Sequence, residues 1–295
     1  MRITKLHLSN FRNYMDETIE PGDGVNLFVG PNGQGKSAIL EAAYVLTTSK
    51  SHRTAKDSDL IRIGSDWARI LAEVDRVERE EVILELTLSR NEKKTVRINR
   101  VKHEKVGDIV GQLNTVIFSS ADLEMVKSDP SHRRRFMNLE ISQVSPQYIY
   151  ALGRYKRVLE QRNSVLKEAK FGSVNMKALE VWDEQLVNYG SIMIEKRMVF
   201  LRRLSEMAEP IYSRLAGGSE VMEADYHPSF ELGDPKSIEE IKEIFHKAVI
   251  NARENDLARR TTTRGPHRDD ISFKVNGMEV RSFGSQGQQR SVALA

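Results

Sequence analysis

Over the first hundred residues, apolar and polar positions alternate with a period of two. ITKLHLSNF, GVNLFVG, ARILAEVD, EEVILELTLS and TVRIN are short, rich in Val, Ile and Leu, and bounded by turn formers such as PGDG, so each predicts a strand. One helix interrupts them, SAILEAAYVLTTS, with Ile39, Leu40, Ala43 and Leu46 as its predicted apolar face. From about Ser131 to Arg260 the period changes to 3.6, through Leu152, Tyr155, Leu159 and Leu166, then Trp182, Leu186, Tyr189, Met193, Phe200 and Leu204. This predicts helix packed on helix, with the aromatic residues and methionines as core rather than binding surface. Alternation returns at DDISFKVNGMEVRS, where Asn276 and Gly277 predict a tight hairpin. The order of β, helical and β segments predicts one head split by an insertion: 1–127 as its first part, 128–257 as a helical arm, and 258–295 as its incomplete remainder.

A length of 295 residues suits one large α/β unit with an insertion, or two domains. The apolar share of 39% before glycine and the charged share of 29% exclude disorder and collagen. No run approaches the roughly 18 apolar residues of a membrane span, and MRITKLHLSNF lacks the apolar core of a secretory signal. The chain is therefore expected in the cytoplasm. With no cysteine, disulfides, thiolate metal sites and cysteine nucleophiles are excluded. The net charge of +3 is small, but Lys127 to Lys170 holds ten Lys/Arg against four Asp/Glu. Within it Arg133, Arg134 and Arg135, then Arg154, Lys156 and Arg157, are candidate DNA-phosphate contacts; a solvated helix face is the alternative.

Gly30, Pro31, Asn32, Gly33, Gln34, Gly35, Lys36 and Ser37 match G-x-x-x-x-G-K-[ST] without deviation. The match follows the predicted strand Val25–Val29 and opens a helix, as a phosphate loop requires. Glycines let the backbone curl its N–H groups toward a phosphate, and the helix adds the positive end of its dipole. Lys36 supplies a mobile charge for the β- and γ-phosphates of ATP, and Ser37 a hydroxyl for Mg²⁺. A second small turn, Ser285-Gln-Gly287-Gln288-Gln-Arg-Ser, precedes the helical start Val292-Ala-Leu-Ala. By itself it reads as a loop with a helix cap, or as a second anion site.

Taken together, the motifs resemble the RecF family, ATPases related to the heads of structural-maintenance-of-chromosomes proteins. The likeness rests on LSNFRNY, VGPNGQGKS, SHRT at 51–54, DLEMVK with the arginine run, QRN at 161–163, RGPHRDD at 264–270 and SQGQQR. It implies an α/β fold, an ABC-type P-loop ATPase head of mixed sheet, split in sequence, with an inserted α-helical domain. It further implies ATP and Mg²⁺ as cofactors, with Arg12 and Asn13 beside the nucleotide and Arg53 as the arginine after the first helix. Ser285, Gly287 and Gln288 would cap the γ-phosphate held by a second subunit in an ATP-dependent homodimer. The implied function is ATP-dependent DNA binding in recombinational repair, replication-fork restart and the SOS response. Its targets would be junctions of single- and double-stranded DNA, with RecR, RecO and the recombinase as partners. His267 reads either as a site residue or as a satisfied structural histidine.

Two departures stand out. Family members carry a proline at or near Ser120, and no Gln-loop residue can be assigned. No run of four apolar residues ends in Asp-Glu, so the Walker B acids are missing; the chain is expected to be a shortened head, and the catalytic residue is unknown. The alternatives are a nucleotide-gated DNA-binding scaffold without turnover, or another P-loop NTPase.

Overall fold

The computed structural model describes residues 1–76, 81–119, 122–168 and 175–295, so Ser120 lies outside the described residues. The chain divides into two compact units: residues 1–117 with 142–144, and residues 118–141 with 145–295.

The first unit is a six-stranded sheet. Its strands are β1 (Arg2–Phe11), β2 (Tyr14–Ile19), β3 (Trp67–Asp75), β4 (Glu81–Ser89), β5 (Thr95–Ile98) and β6 (Val101–His103). They lie in the order β2-β1-β3-β4-β5-β6, and every neighbouring pair is antiparallel. The alternation read from the sequence becomes a two-sided surface. Leu6 faces Ala72, Leu8 faces Ile70, and these continue to Leu84 and Leu86 across the next strand, all buried. Helix α1 (Lys36–Thr48) adds Ala38, Ala42, Val45 and Leu46 to the same core.

Two local expectations change. Of the apolar face predicted for α1, Leu46 is buried while Leu40 is exposed; the packed face runs through Ala38 and Ala42, small residues that let the helix come close to the sheet. The segment Val25–Val29 alternates as a strand should but joins no ladder, and no described strand runs alongside it. Val25, Leu27 and Val29 therefore stay exposed, Val25 at 96%.

The second unit is mainly helical: α2 (Leu123–Lys127), α3 (Pro130–Val144, its last turn grouped with the first unit), α4 (Pro146–Glu168), α5 (Met176–Leu215), α6 (Ile238–Asn251) and α7 (Arg253–Arg259). α5 runs for 40 residues. Tyr155, Leu166, Leu186 and Met193 are buried at the predicted helical spacing, and Leu152, Leu159, Trp182, Tyr189, Phe200 and Leu204 pack partly buried around them. β7 (Met222–His227) pairs antiparallel with β8 (Asp270–Val275), which turns through Asn276 and Gly277, both at positive φ, into β9 (Met278–Glu279). Two short helices follow, α8 (Val280–Phe283) and α9 (Gln286–Leu294). Residues 258–295, read from the sequence as the returning head, thus group with the helical unit. The cause is tertiary pairing: β8 finds its partner in β7 of that unit.

Candidate phosphate-binding site

The phosphate loop is shaped by backbone geometry. Gly35, the residue before α1, has φ +101, and a Cβ there would lie 2.7 Å from the Asn13 side chain and 2.8 Å from the Tyr14 ring. No side chain caps α1; the Ala38 N–H turns back to the Gly35 carbonyl at 2.7 Å, and the N–H groups of Lys36 and Ser37 have no side-chain cap. Lys36 Nζ donates to the carbonyls of Gly30 at 2.6 Å and Pro31 at 2.7 Å, so its charge sits within the curl of the loop. Asn13 Nδ2 reaches the carbonyl of Gly33 at 3.4 Å.

Beside the loop lies a cleft of about 650 Å³. Its walls include Arg12, Asn13, Asn32, Gly33, Gly35, Lys36, Ser37 and Arg53, gathering the P-loop residues and the three family-implied neighbours. Gly30, Pro31 and Gln34 shape the loop without lining the cleft. Asp59, Ile61, Arg62 and Ile63 also line it, and nothing in their local pattern marked them.

Arg12 occupies the β1–β2 turn at φ +54, a region that non-glycine residues enter at a cost. Its N–H donates to the Leu60 carbonyl at 2.7 Å, which holds that geometry. Its guanidinium forks onto Glu41, with Nε to Oε2 at 2.9 Å and Nη2 to Oε1 at 2.6 Å, while Nη1 donates to the Asp59 carbonyl at 2.9 Å. Glu41 is fully buried in α1 and also accepts from Ser51 Oγ at 2.5 Å and Arg53 Nη1 at 3.4 Å. Burial alone would raise its pKa. The hydrogen bonds from Arg12 and Ser51 and the charges of Arg12 and Arg53 outweigh that, so its carboxyl sits below the ordinary range. Glu41, which bonds two of the cleft arginines, is a residue the sequence did not mark; its one signal is the i+4 spacing from Ser37 within a largely apolar helix.

ATP phosphates suit this cleft: one ammonium, of Lys36, and three guanidinium groups, of Arg12, Arg53 and Arg62, line it beside a helix start that no side chain caps. Mg²⁺ fits through Ser37, whose hydroxyl is exposed at the helix start. Among the described residues there is no group of three or more His, Asp or Glu side chains that could hold a metal ion.

Ser285, Gly287 and Gln288 belong to the second unit. α9 begins at Gln286, six residues ahead of the predicted start, because Ser285 caps it. Ser285 Oγ accepts from the Gln288 N–H at 3.1 Å, and Gln288 Oε1 accepts from the Ser285 N–H at 2.9 Å. Gln288 Nε2 in turn donates to Glu220 at 2.8 Å.

The candidate DNA contacts separate into two groups. Arg133 is buried, forked onto Asp270 at 2.6 and 2.9 Å and bonded to the Ser128 carbonyl at 2.8 Å, so its guanidinium is not open to a phosphate. Arg134 is half-buried and donates to the Asp269 carbonyl at 2.9 Å. Arg135, Arg154, Lys156 and Arg157 are exposed, with Arg154 over the Tyr150 ring. His267 is structural: Nδ1 accepts from Tyr155 Oη at 2.7 Å and Nε2 donates to the Thr262 carbonyl at 3.0 Å. Burial pushes it down to about 4, keeping it neutral. Gly265, at φ +124, lets this loop pass against the Tyr155 hydroxyl, 2.5 Å from where a Cβ would stand.

No helix among the described residues is long and apolar enough to cross a membrane. A family model described as an AAA domain matches residues 5–248. The DNA replication and repair protein RecF of Shouchella clausii (strain KSM-K16) is 43% identical over 296 residues, covering all of this chain and 79% of that protein. Its counterpart from Geobacillus thermodenitrificans (strain NG80-2) is 42% identical, with the same shares. A solved structure of the recombination mediator protein RecF-ATP in the RecFOR pathway superposes with a TM-score of 0.94 at 32% identity, over 99% of this chain and 78% of that one. An Smc head bound to the C-winged helix domain of ScpA, at 16% identity and a TM-score of 0.51, shares the fold over 99% of this chain and 74% of its own. A phosphate loop backed by paired arginines, in a chain with this degree of likeness along its whole length, makes it a member of the RecF family of DNA replication and repair proteins.

Proposed function

We propose that the chain binds ATP with Mg²⁺ at the cleft of the first unit and uses the nucleotide to control DNA binding in recombinational repair and fork restart. The observation that carries this reading is the convergence of Lys36, Ser37, Arg12 and Arg53 on one cleft at an uncapped helix start. Lys36 and the loop amides would take the β- and γ-phosphates, and Ser37 with Mg²⁺ would bridge them. In this reading Ser285, Gly287 and Gln288 cap the γ-phosphate held by a second copy. The chemistry favours this for Ser285, whose Oγ accepts from Gln288 and keeps its own proton to donate. ATP then favours a homodimer, and the exposed Arg135, Arg154, Lys156 and Arg157 meet DNA phosphates, at junctions of single- and double-stranded DNA. RecO, RecR and the recombinase are the proposed partners, and aid to recombinase loading the proposed outcome.

Binding, rather than turnover, is what the residues at the cleft support. Among the described residues Asp59 is the one carboxylate lining it, and its Oδ2 accepts from Thr54 Oγ1 at 2.5 Å. A scaffold gated by nucleotide and turning over slowly fits that chemistry. The test is titration calorimetry with ATP on wild type and Lys36→Ala, followed by sedimentation with ATP, ADP and a non-hydrolysable analogue. Equal ATP affinity in a folded Lys36→Ala protein would sink the assignment, and a dimer indifferent to the third phosphate would remove the cap role of Ser285.

A further inference from the structure

A carboxylate with no solvent exposure, set among Ala38, Ala42 and Val45 in the helix that starts at the phosphate loop, is an expensive group to keep. Its partners explain its presence. Both guanidinium groups that touch Glu41 belong to residues lining the cleft, and the third group on it, Ser51, ties down the backbone that leads to Arg53: Ser51 Oγ also accepts from the Arg53 N–H at 2.9 Å. The two attachments differ in kind. Arg12 is three-quarters buried, forked onto both oxygens of Glu41 and bonded again to the Asp59 carbonyl. Arg53 is half exposed and reaches Glu41 through one long contact of 3.4 Å.

We propose that Glu41 is the positioning residue of the nucleotide site: it locks Arg12 in the orientation that meets the nucleotide and holds Arg53 on a releasable tether. The proposal deepens the ATP reading of the cleft and rests on it. Glu41 does not line the cleft, so it acts through the arginines. Three of the five N–H donors of Arg12 are bonded to Glu41 and Asp59, which fixes the plane of the group and leaves two donors for an anion. One buried negative charge against two guanidinium groups leaves a net positive charge on that wall, which suits a phosphate. When phosphate oxygens compete for Arg53, the single long contact yields first and the fork on Arg12 remains.

The experiment is a double-mutant cycle read by calorimetric ATP affinity, using wild type, Glu41→Gln, Arg12→Ala, Arg53→Ala and the pairs with Glu41→Gln. Glu41→Gln keeps the shape of the side chain, removes its charge and leaves one oxygen where the fork needs two. ATP binding should weaken roughly tenfold in Glu41→Gln. That loss should vanish, to within about twofold, in the Arg12→Ala background and persist in the Arg53→Ala background. A brace that merely supports the fold predicts the opposite, the same loss in every background together with a lowered melting temperature, and that result overturns the proposal. Wild-type affinity in Glu41→Gln overturns it as well. Lys36→Ala separates the underlying reading: if it binds ATP as wild type does, the cleft is not a phosphate site and the role of Glu41 falls with it. Should Glu41→Gln fail to fold, Glu41→Asp makes the same cycle, keeping the charge while withdrawing the oxygens from the fork.

Discussion

Each unit contains arginines bonded to buried carboxylates, and the two arrangements are inverted. In the first unit the acid is hidden and the bases are open: Glu41 has no exposure, while the Arg12 and Arg53 side chains are 23% and 49% exposed. In the second unit the base is hidden with its acids. Arg162 has no exposure and bonds Asp183 at 2.6 Å, Asp256 at 2.7 Å and Thr262 Oγ1 at 2.8 Å, tying α4 to α5 and α7. Arg197 repeats the closed form with Tyr148 and the Pro266 carbonyl. An arginine with every side enclosed specifies which elements meet; an arginine held from behind keeps donors for a ligand. Within the arginine run Arg133 is closed onto Asp270, while Arg135 is exposed.

The strongest way to break the contrast is to remove a closed arginine. Arg162→Ala leaves Asp183 and Asp256 buried with their main counter-charge gone, so unfolding free energy should fall by about 3–5 kcal/mol. Denaturant titration of the second unit checks this, and a loss under about 1 kcal/mol would mean that solvent reaches the cluster.

The next effect is a pH dependence. His267 has its folded value depressed to about 4, so its contribution is complete above the ordinary value of about 6.5 and is lost as pH falls from there toward 4. The loss should total on the order of 3 kcal/mol. Glu140, raised to about 7 chiefly by burial and then by Asp122, acts with the opposite sign: its contribution is present below the ordinary carboxylate range and is lost as pH rises through about 7. Wild type minus His267→Asn therefore isolates the histidine, and a flat difference between pH 4 and 7 would contradict its burial as a neutral ring.

Lys36→Ala belongs to the open class. Its bonds to phosphate are worth roughly 1.5–3 kcal/mol, so ATP should bind about 10–150 fold more weakly while the melting temperature stays put. A large drop in melting temperature would place Lys36 with the closed groups.

The smallest effect falls on the cap. Ser285→Ala should cost about 1 kcal/mol through lost capping of α9, and Ser285→Arg should abolish any dimer that ATP induces. If Ser285→Arg dimerises and binds DNA as wild type does, α9 plays no part in reading the nucleotide.

Much of this is legible in the sequence alone. The phosphate loop, the Asn276-Gly277 hairpin and the helical spacing from Leu152 to Leu204 are local signals, in which a few neighbouring residues fix the backbone. What stayed hidden is tertiary. Arg133 and Asp270 meet across 137 positions, and no window around either shows that one will neutralise the other. Glu41 looks like the polar side of an amphipathic helix until Arg12, 29 positions earlier, turns toward it. The strand expected at Val25–Val29 does not form for the same reason, since alternation describes a strand and says nothing about whether a neighbour pairs with it.

The cleft also has a position in time. All of its lining residues fall between Arg12 and Ile63, and the sheet behind it is complete at His103. Chains are synthesised at about 5–20 residues per second, so the roughly 190 positions from His103 to Ala295 alone take about 10–40 s to emerge. Antiparallel neighbours close in sequence pair far faster than that. The phosphate loop can therefore be in place, and open to nucleotide in the cell, while the helical unit is still being made.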